Sequence, residues 1–423
     1  MSEFHKPNNG TVDQNSAKIS LKVIGVGGAG NNAVQLMINN LAQNENDINY
    51  VDFIVANTDA QALASNSCKN QIALGKETRG LGAGADPEIG EKRARESLRD
   101  IEAKLAGTDV VIIAAGFGGG TGTGAAPVIA EAARNSGALT IAIVTTPFLI
   151  EGKKRTRIAL EGIEKLKTKV DSYIIVSNEK LLEYFGDVPV DDAFQYSNVN
   201  LKNIIFAIHD ILYRVGRVNI DYADVRKVLD NCGLTLVGIG QASGKDRAVK
   251  AVTKAFENHL YSAEISGAEK FLINFQFDKS TSFREIQAAI NKVSEILNKD
   301  TESEDEIIIG QETLDGVEDI FKVSVIAGNV YEKVKEVPAQ ANADVHSTSN
   351  DRVMVSPVHK EEVAPHPQSQ PVNYSFEKEE VKEVPDFDVY KPVNTNKTEE
   401  IENILELEED EAESYSDTND SWF

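Results

Sequence analysis

Three glycine-rich stretches carry the strongest chemical signal in the sequence. Gly116-Phe117-Gly118-Gly119-Gly120-Thr121-Gly122-Thr123-Gly124 puts six glycines and two threonines in nine residues, between an apolar run and a helical pattern. Glycines let backbone N–H groups approach an anion, and a helix N-terminus adds partial positive charge. The threonine hydroxyls can add donors or help hold a metal ion. Gly25-Val26-Gly27-Gly28-Ala29-Gly30 fits G-x-G-x-x-G, a pattern shared with dinucleotide-binding turns and with plain tight turns. A third loop, Gly80-Leu81-Gly82-Ala83-Gly84-Ala85-Asp86, also precedes a helical pattern. Together the three could wrap a triphosphate with backbone amides alone. The sequence contains no G-x-x-x-x-G-K-[ST], so this is not a P-loop protein.

Other residue pairs are ambiguous when read by themselves. Glu151 and Arg155 are four apart, which on a helix makes a surface pair worth only a few tenths of a kcal/mol. Phe194 fits plain core as well as an aromatic platform. Asp221 and Asp224, three apart in NIDYADV, read as an N-cap and a first-turn acid.

The loops need elements to hold them. KISLKVIGV (Lys18 to Val26), DFIVAN (Asp52 to Asn57), DVVIIAA (Asp109 to Ala115), LTIAIVT (Leu139 to Thr145) and DSYIIVS read as strands. Helical patterns cover Asn31 to Leu41, one continuous stretch Ala85 to Leu105 with Pro87 in its first turn, a segment ending at Arg134, and Glu151 to Lys169. This alternation predicts a doubly wound parallel sheet with ligands at the strands' carboxyl ends. Apolar residues at helical spacing predict a long helix from about 193 to 217 that bridges two domains. Beyond it TLVGIGQASG, KFLINFQF, DEIIIGQE and FKVSVIAG read as strands, with helices at about Asp246 to Asn258 and Ser282 to Leu297. The expected class is α/β: a Rossmann-like parallel-sheet domain, a central helix and a smaller α/β C-terminal domain. The expected division is an N-terminal extension at 1–17, domains at 18–192 and 218–330 flanking the helix, and a disordered acidic tail at 331–423.

Composition supports that division. All 30 glycines of the 423 residues lie at or before Gly328, and seven of the 12 prolines lie at or after Pro338. Of the net charge of −24, −15 falls between Pro338 and Phe423, where large apolar side chains are few. Such a segment cannot bury enough surface to offset the entropy of ordering. An acidic balance argues against nucleic acid as the main partner. Cys68 and Cys232 make no metal-ligand spacing and no disulfide framework, which points to a reducing compartment. Apolar runs such as Val110 to Ala115 are far too short to span a bilayer, so a cytosolic protein is expected.

GGGTGTG at Gly118 to Gly124 is the signature of the tubulin/FtsZ superfamily. GVGGAGNNAV, NTDAQAL, GLGAGADPEIG, TPF, EGKKR and NIDYADV stand around it in family order. The resemblance to the FtsZ family covers roughly Lys18 to Val330. It implies a GTPase, with GTP or GDP bound and Mg2+ held mainly by the phosphates rather than by a protein metal site. It implies phosphate contacts from Gly28, Ala29, Gly30, Asn31 and Asn32 and from Gly120, Thr121 and Gly122. Ala29 stands where a glycine is common. Glu151 and Arg155 would hold the ribose and phosphate region, with Asn57 and Asp59 beside the nucleotide. Phe194 would pack on guanine and Asn198 would hydrogen-bond its edge, although an Asn carbonyl is one acceptor where a carboxylate offers two.

By the same resemblance Asn219, Asp221 and Asp224 belong to a loop that enters the pocket of the next subunit, where the two carboxylates polarise the attacking water. Head-to-tail contacts of this kind do not close and give open filaments. The implied setting is the division ring on the inner face of the membrane, with membrane-anchored division proteins bound through the tail and no membrane insertion. The usual proline- and arginine-containing terminal peptide is absent: after Lys397 come 11 acidic residues and no basic one. EEIENILELEED (Glu399 to Asp410) and VPDFDVYKPV (Val384 to Val393) are the candidate partner segments. A nicotinamide-dependent oxidoreductase would explain Gly25 to Gly30 but neither GGGTGTG nor NIDYADV. A GTP-binding scaffold without hydrolysis would need one of the two aspartates to be missing.

Overall fold

The computed structural model describes residues 19–41, 51–75, 80–186, 188–214, 216–257, 260–261, 263–297 and 306–330. Its first half alternates strands and helices: β1 (Leu21–Val26), α1 (Gly27–Leu41), β2 (Val51–Asn57), α2 (Ala60–Ala64), β3 (Asn70–Ala73), α3 (Pro87–Glu96), α4 (Leu98–Leu105), β4 (Val110–Gly116), α5 (Thr121–Asn135), β5 (Leu139–Thr146), α6 (Lys153–Lys167), β6 (Ser172–Ser177) and α7 (Asn178–Phe185), of which α2, β3 and α7 were not expected. The long helix α8 (Val190–Tyr213) and α9 (Tyr222–Leu229) follow, then β7 (Gly233–Leu234), β8 (Leu236–Ala242), α10 (Arg247–Phe256), β9 (Lys270–Phe277), α11 (Phe283–Leu297), β10 (Glu306–Thr313) and β11 (Phe321–Gly328).

Seven parallel strands in the order β3-β2-β1-β4-β5-β6-β7 form the first sheet. Its central strand β4 is apolar throughout because helices cover both faces, and every residue from Val110 to Ala115 is buried. β1 and β4 lie side by side in register, Val26 beside Ala115, so the first and second glycine loops leave the sheet at the same level. The second sheet is mixed, in the order β10-β9-β11-β8, with β10 parallel and β11 antiparallel to β9. This architecture is the expected α/β class with a smaller second domain.

Helix α8 lies between the sheets and is buried all round from Asn200 to Leu212. A helix enclosed on every side must also place its polar residues inside. Asp210 does so by taking Arg214 at 2.9 Å, Lys322 of β11 at 3.7 Å and the Gln276 amide of β9 at 3.1 Å. Burial alone would raise the Asp210 pKa, but His209, Lys322 and Arg214 hold it well below the ordinary carboxylate range. Burial lowers Lys322 to about 8 in spite of Asp210.

Several boundaries differ from the expectation; α1 already starts at Gly27 rather than at Asn31. The stretch Ala85 to Leu105 is two helices, because the chain breaks at Ser97 (φ −98°, ψ 12°). The Ser97 hydroxyl there accepts the Gly75 N–H at 2.9 Å, a tertiary bond with no local signature. Helix α6 starts at Lys153, since Gly152 (φ 97°) separates it from a 3-10 turn over Leu149–Glu151. The central helix expected at about 193–217 runs instead from Val190, just after Pro189, to Tyr213, with Arg214 already extended.

Candidate functional site: the glycine loops and an opposite carboxylate pair

The sheet brings the three glycine loops together. Gly27 opens α1 with φ 72°, and a Cβ built on it would lie 2.9 Å from the Gly122 nitrogen. A Cβ on Gly120 would lie 2.8 Å from both the Ala83 methyl and the Asp86 nitrogen of the third loop. Only glycine permits these contacts. The starts of α1 and α5 therefore converge, each with first-turn N–H groups that have no intrahelical acceptor. Cβ atoms built on Gly28, Gly84 and Gly119 would meet nothing within 4 Å. Each loop thus presents bare backbone to open space, room of the kind a phosphate group needs. Ala29 fits here at little cost, because its neighbour across the loop is Gly116, whose built Cβ would lie 2.7 Å from the Ala29 methyl.

Asn31 and Asn57 lie close by, but their side chains point inward and are 3% and 4% exposed. With its amide oriented to suit its neighbours, Asn31 donates to the Gly25 and Gly27 carbonyls and accepts from Asn57 at 3.1 Å. Asn57 also accepts the Asp59 N–H at 3.2 Å. Both side chains brace the loops, which leaves their contribution to a ligand to backbone groups. Asn32 is exposed beside them. Asp59 caps α2 by accepting the Gln61 and Ala62 N–H groups.

Glu151 and Arg155 are more than a surface pair. Arg155 donates to Glu151 at 2.6 Å, while the other Glu151 oxygen accepts the Phe148 N–H at 2.9 Å. The carboxylate is thereby fixed from both sides. The Arg155 carbonyl lies against the second loop, 3.0 Å from where a Gly118 Cβ would be. Phe194 is not core: it is 44% exposed and meets buried Phe148 in a T-shaped contact, with ring centroids 5.0 Å apart. Asn198 follows one turn later on α8, partly exposed.

The carboxylate pair is elsewhere. Asp221 is the N-cap of α9 and Asp224 lies in its first turn, Asp221 exposed and Asp224 partly so. Asn219 spends its side-chain oxygen on the Gly216 N–H at 2.6 Å. Tyr222, between the aspartates, donates to the Asp109 carbonyl at 3.0 Å, just before the amino end of β4. The second glycine loop leaves the carboxyl end of the same strand. Seven residues at roughly 3.3 Å each separate the two ends by about 20 Å.

Two supporting residues lie inside motif pieces but had no role assigned to them: Thr58 of NTDAQAL meets Thr121 and Phe148 of TPF meets Phe194, partners 63 and 46 positions away. Among the described residues no group of three or more His, Cys, Asp or Glu could hold a metal ion, and no helix is long and apolar enough to cross a membrane.

Residues 20–186 match the family model of the Tubulin/FtsZ family GTPase domain, and residues 233–331 match that of the FtsZ family C-terminal domain. The chain is 46% identical over 308 residues to the cell division protein FtsZ of Mycoplasmopsis pulmonis (strain UAB CTIP), covering 73% of this chain and 76% of that protein. An FtsZ dimer from M. jannaschii superposes with a TM-score of 0.67 at 36% identity, over 74% of this chain and 89% of the other. A CetZ2 protofilament from Haloferax volcanii shares the fold, with a TM-score of 0.61 at 20% identity over 74% of this chain and 94% of that one. Two family models in succession and a relative this similar over most of the chain leave one conclusion: the chain belongs to the FtsZ family of tubulin-like GTPases.

Proposed function

We propose that this chain hydrolyses GTP at a site completed only when two copies meet head to tail. As a member of its family it is a GTPase cytoskeletal protein of cell division. The observation that carries the shared site is the Tyr222–Asp109 bond, which anchors the carboxylate pair at the amino end of the strand whose other end bears the second glycine loop. One copy cannot bring Asp224 to its own loops.

In this reading the amides of Gly28 to Asn32 and Gly120 to Gly122 hold the phosphates, and Mg2+ would be held mainly through those phosphates and would offset their charge. Glu151 and Arg155 hold the ribose side, Phe194 stacks on the base and Asn198 bonds its edge. The neighbouring copy supplies Asp221 and Asp224 to orient and polarise the attacking water, with Asn219 shaping their loop. Phosphoryl transfer rests mostly on such positioning and charge stabilisation, so a group delivered by a neighbour can switch it on. Hydrolysis then weakens the contact and filaments turn over at the division site, on the inner face of the membrane. Membrane-anchored division proteins bind through the tail, whose residues 331–423 lie outside the described ones.

The test is GTP hydrolysis against protein concentration. Specific activity per molecule should be near zero at high dilution and rise steeply above a threshold. Constant specific activity across the range would mean that each copy holds a complete site.

A further inference from the structure

Thr58 directly follows β2, and its hydroxyl oxygen lies 2.6 Å from that of Thr121, the first residue of α5. Thr58 is 2% exposed, whereas Thr121, within the second glycine loop, is partly exposed. The Thr58 carbonyl accepts the Gly82 N–H at 3.2 Å, so the third loop fixes this residue in place. Among the described residues neither hydroxyl has another hydrogen-bond partner.

Two hydroxyls this close share one hydrogen bond, in which one donates and the other keeps a spare proton. If Thr121 donated, the spare proton would sit on Thr58, buried and without an acceptor. A buried donor left unmatched is the costlier arrangement. The opposite order leaves the spare proton on Thr121, at the edge of the open cradle. A hydroxyl that accepts one hydrogen bond is also polarised into a better donor.

We propose that Thr58 is a positioning residue for anion binding: it donates to Thr121 and thereby presents the Thr121 hydroxyl proton to a phosphate oxygen. This rests on reading the second loop as a phosphate cradle. Thr58 itself touches no ligand.

The experiment compares GTP affinity of the full chain with that of Thr58→Val, Thr58→Ser, Thr121→Val and the double valine variant. Valine keeps the shape and removes the donor. Thr58→Val should weaken GTP binding about fivefold, the worth of one hydrogen bond, and Thr58→Ser should restore it. The double variant should bind no more weakly than Thr121→Val alone, because both changes remove one shared function. Guanosine, which has no phosphate, should bind Thr58→Val as it binds the parent. Additive losses, or equal losses for guanosine and GTP, would overturn the proposal and mark Thr58 as a packing residue. If Thr121→Val binds GTP normally, the proposal fails while the amide cradle stands; if the parent binds guanosine as tightly as GTP, the cradle reading itself fails, a distinct outcome. Should Thr58→Val not fold, Thr58→Cys, a much weaker donor of similar size, takes its place with the same outcomes.

Discussion

Phe148 and Phe194 meet in a T-shaped contact at a centroid distance of 5.0 Å, yet Phe148 is 2% exposed and Phe194 44%. The two rings therefore answer differently to truncation. Phe194→Ala should leave the melting temperature nearly unchanged and weaken GTP binding by ten- to a hundredfold, since base–aromatic stacking is worth about 1–3 kcal/mol. Phe148→Ala should cost about 3–5 kcal/mol of stability as a buried aromatic, and it also disturbs the turn whose N–H Glu151 accepts. Thermal melts alongside GTP titration separate the two. A large loss of stability in Phe194→Ala would make that ring core after all.

The second domain has its own buried charge. Arg247 is 4% exposed and donates to Asp278 at 2.8 Å, Glu285 at 2.9 Å and Asp319 at 3.2 Å. Burial would raise the Asp278 pKa, but Arg247 and the Ser280 hydroxyl hold it well below the usual range. Removing the cation alone strands that carboxylate, so Arg247→Met should cost about 3–5 kcal/mol at pH 7. The sign of the pH effect follows from the depressed value. The contribution of Asp278 is present above the unfolded-state carboxylate pKa of about 4 and is lost as pH falls toward the folded value. The stability gap between parent and variant, read from denaturant titrations, should therefore narrow between pH 5 and pH 2. A gap independent of pH would assign the loss to packing.

The glycine loops were legible because a loop that must approach an anion excludes side chains, and that exclusion is written in consecutive letters. The fold class followed from apolar runs alternating with helical periods, whereas the short strands β3 and β7 carried no such run. What supports the loops was not legible. The Asn31–Asn57 amide pair and the Phe148–Phe194 contact are long-range contacts between side chains whose types are common anywhere. The break at Ser97 was hidden because the helical period continues through it, and the partners of its hydroxyl, the Gly75 N–H and the Ala73 carbonyl, are distant in sequence. Glu151 and Arg155 looked like a surface pair for the same reason: the Phe148 N–H that fixes the carboxylate leaves no trace in spacing.

Asp224→Ala removes a group used in the transition state rather than in ground-state binding. GTP binding and filament formation should persist while hydrolysis falls by about two orders of magnitude or more. Asp224 is an acid in the first turn of α9, where its loss removes a helix-dipole interaction of about 0.3–1 kcal/mol, so helix stability should change little. Phosphate release and sedimentation on the same samples measure both. Normal turnover would remove Asp224 from the mechanism.

Two inactive variants should rescue each other. Thr121→Arg fills the cradle between the first and second loops, against Gly27, but leaves α9 and its carboxylates intact. Asp221→Ala with Asp224→Ala leaves the cradle intact and empties the opposite end. Each protein alone lacks one half of every site. In a mixed filament the good cradle of the second can meet the good carboxylates of the first. If association is random, about a quarter of contacts have that composition and activity returns in proportion. Arginine at 121 could also block assembly, so co-sedimentation of both variants has to be established first. Once both are shown in one filament, an absence of recovered hydrolysis would mean that the cradle and the carboxylates do not act on one phosphate. The 20 Å separating them within a single copy, about the length of β4, would then need another explanation.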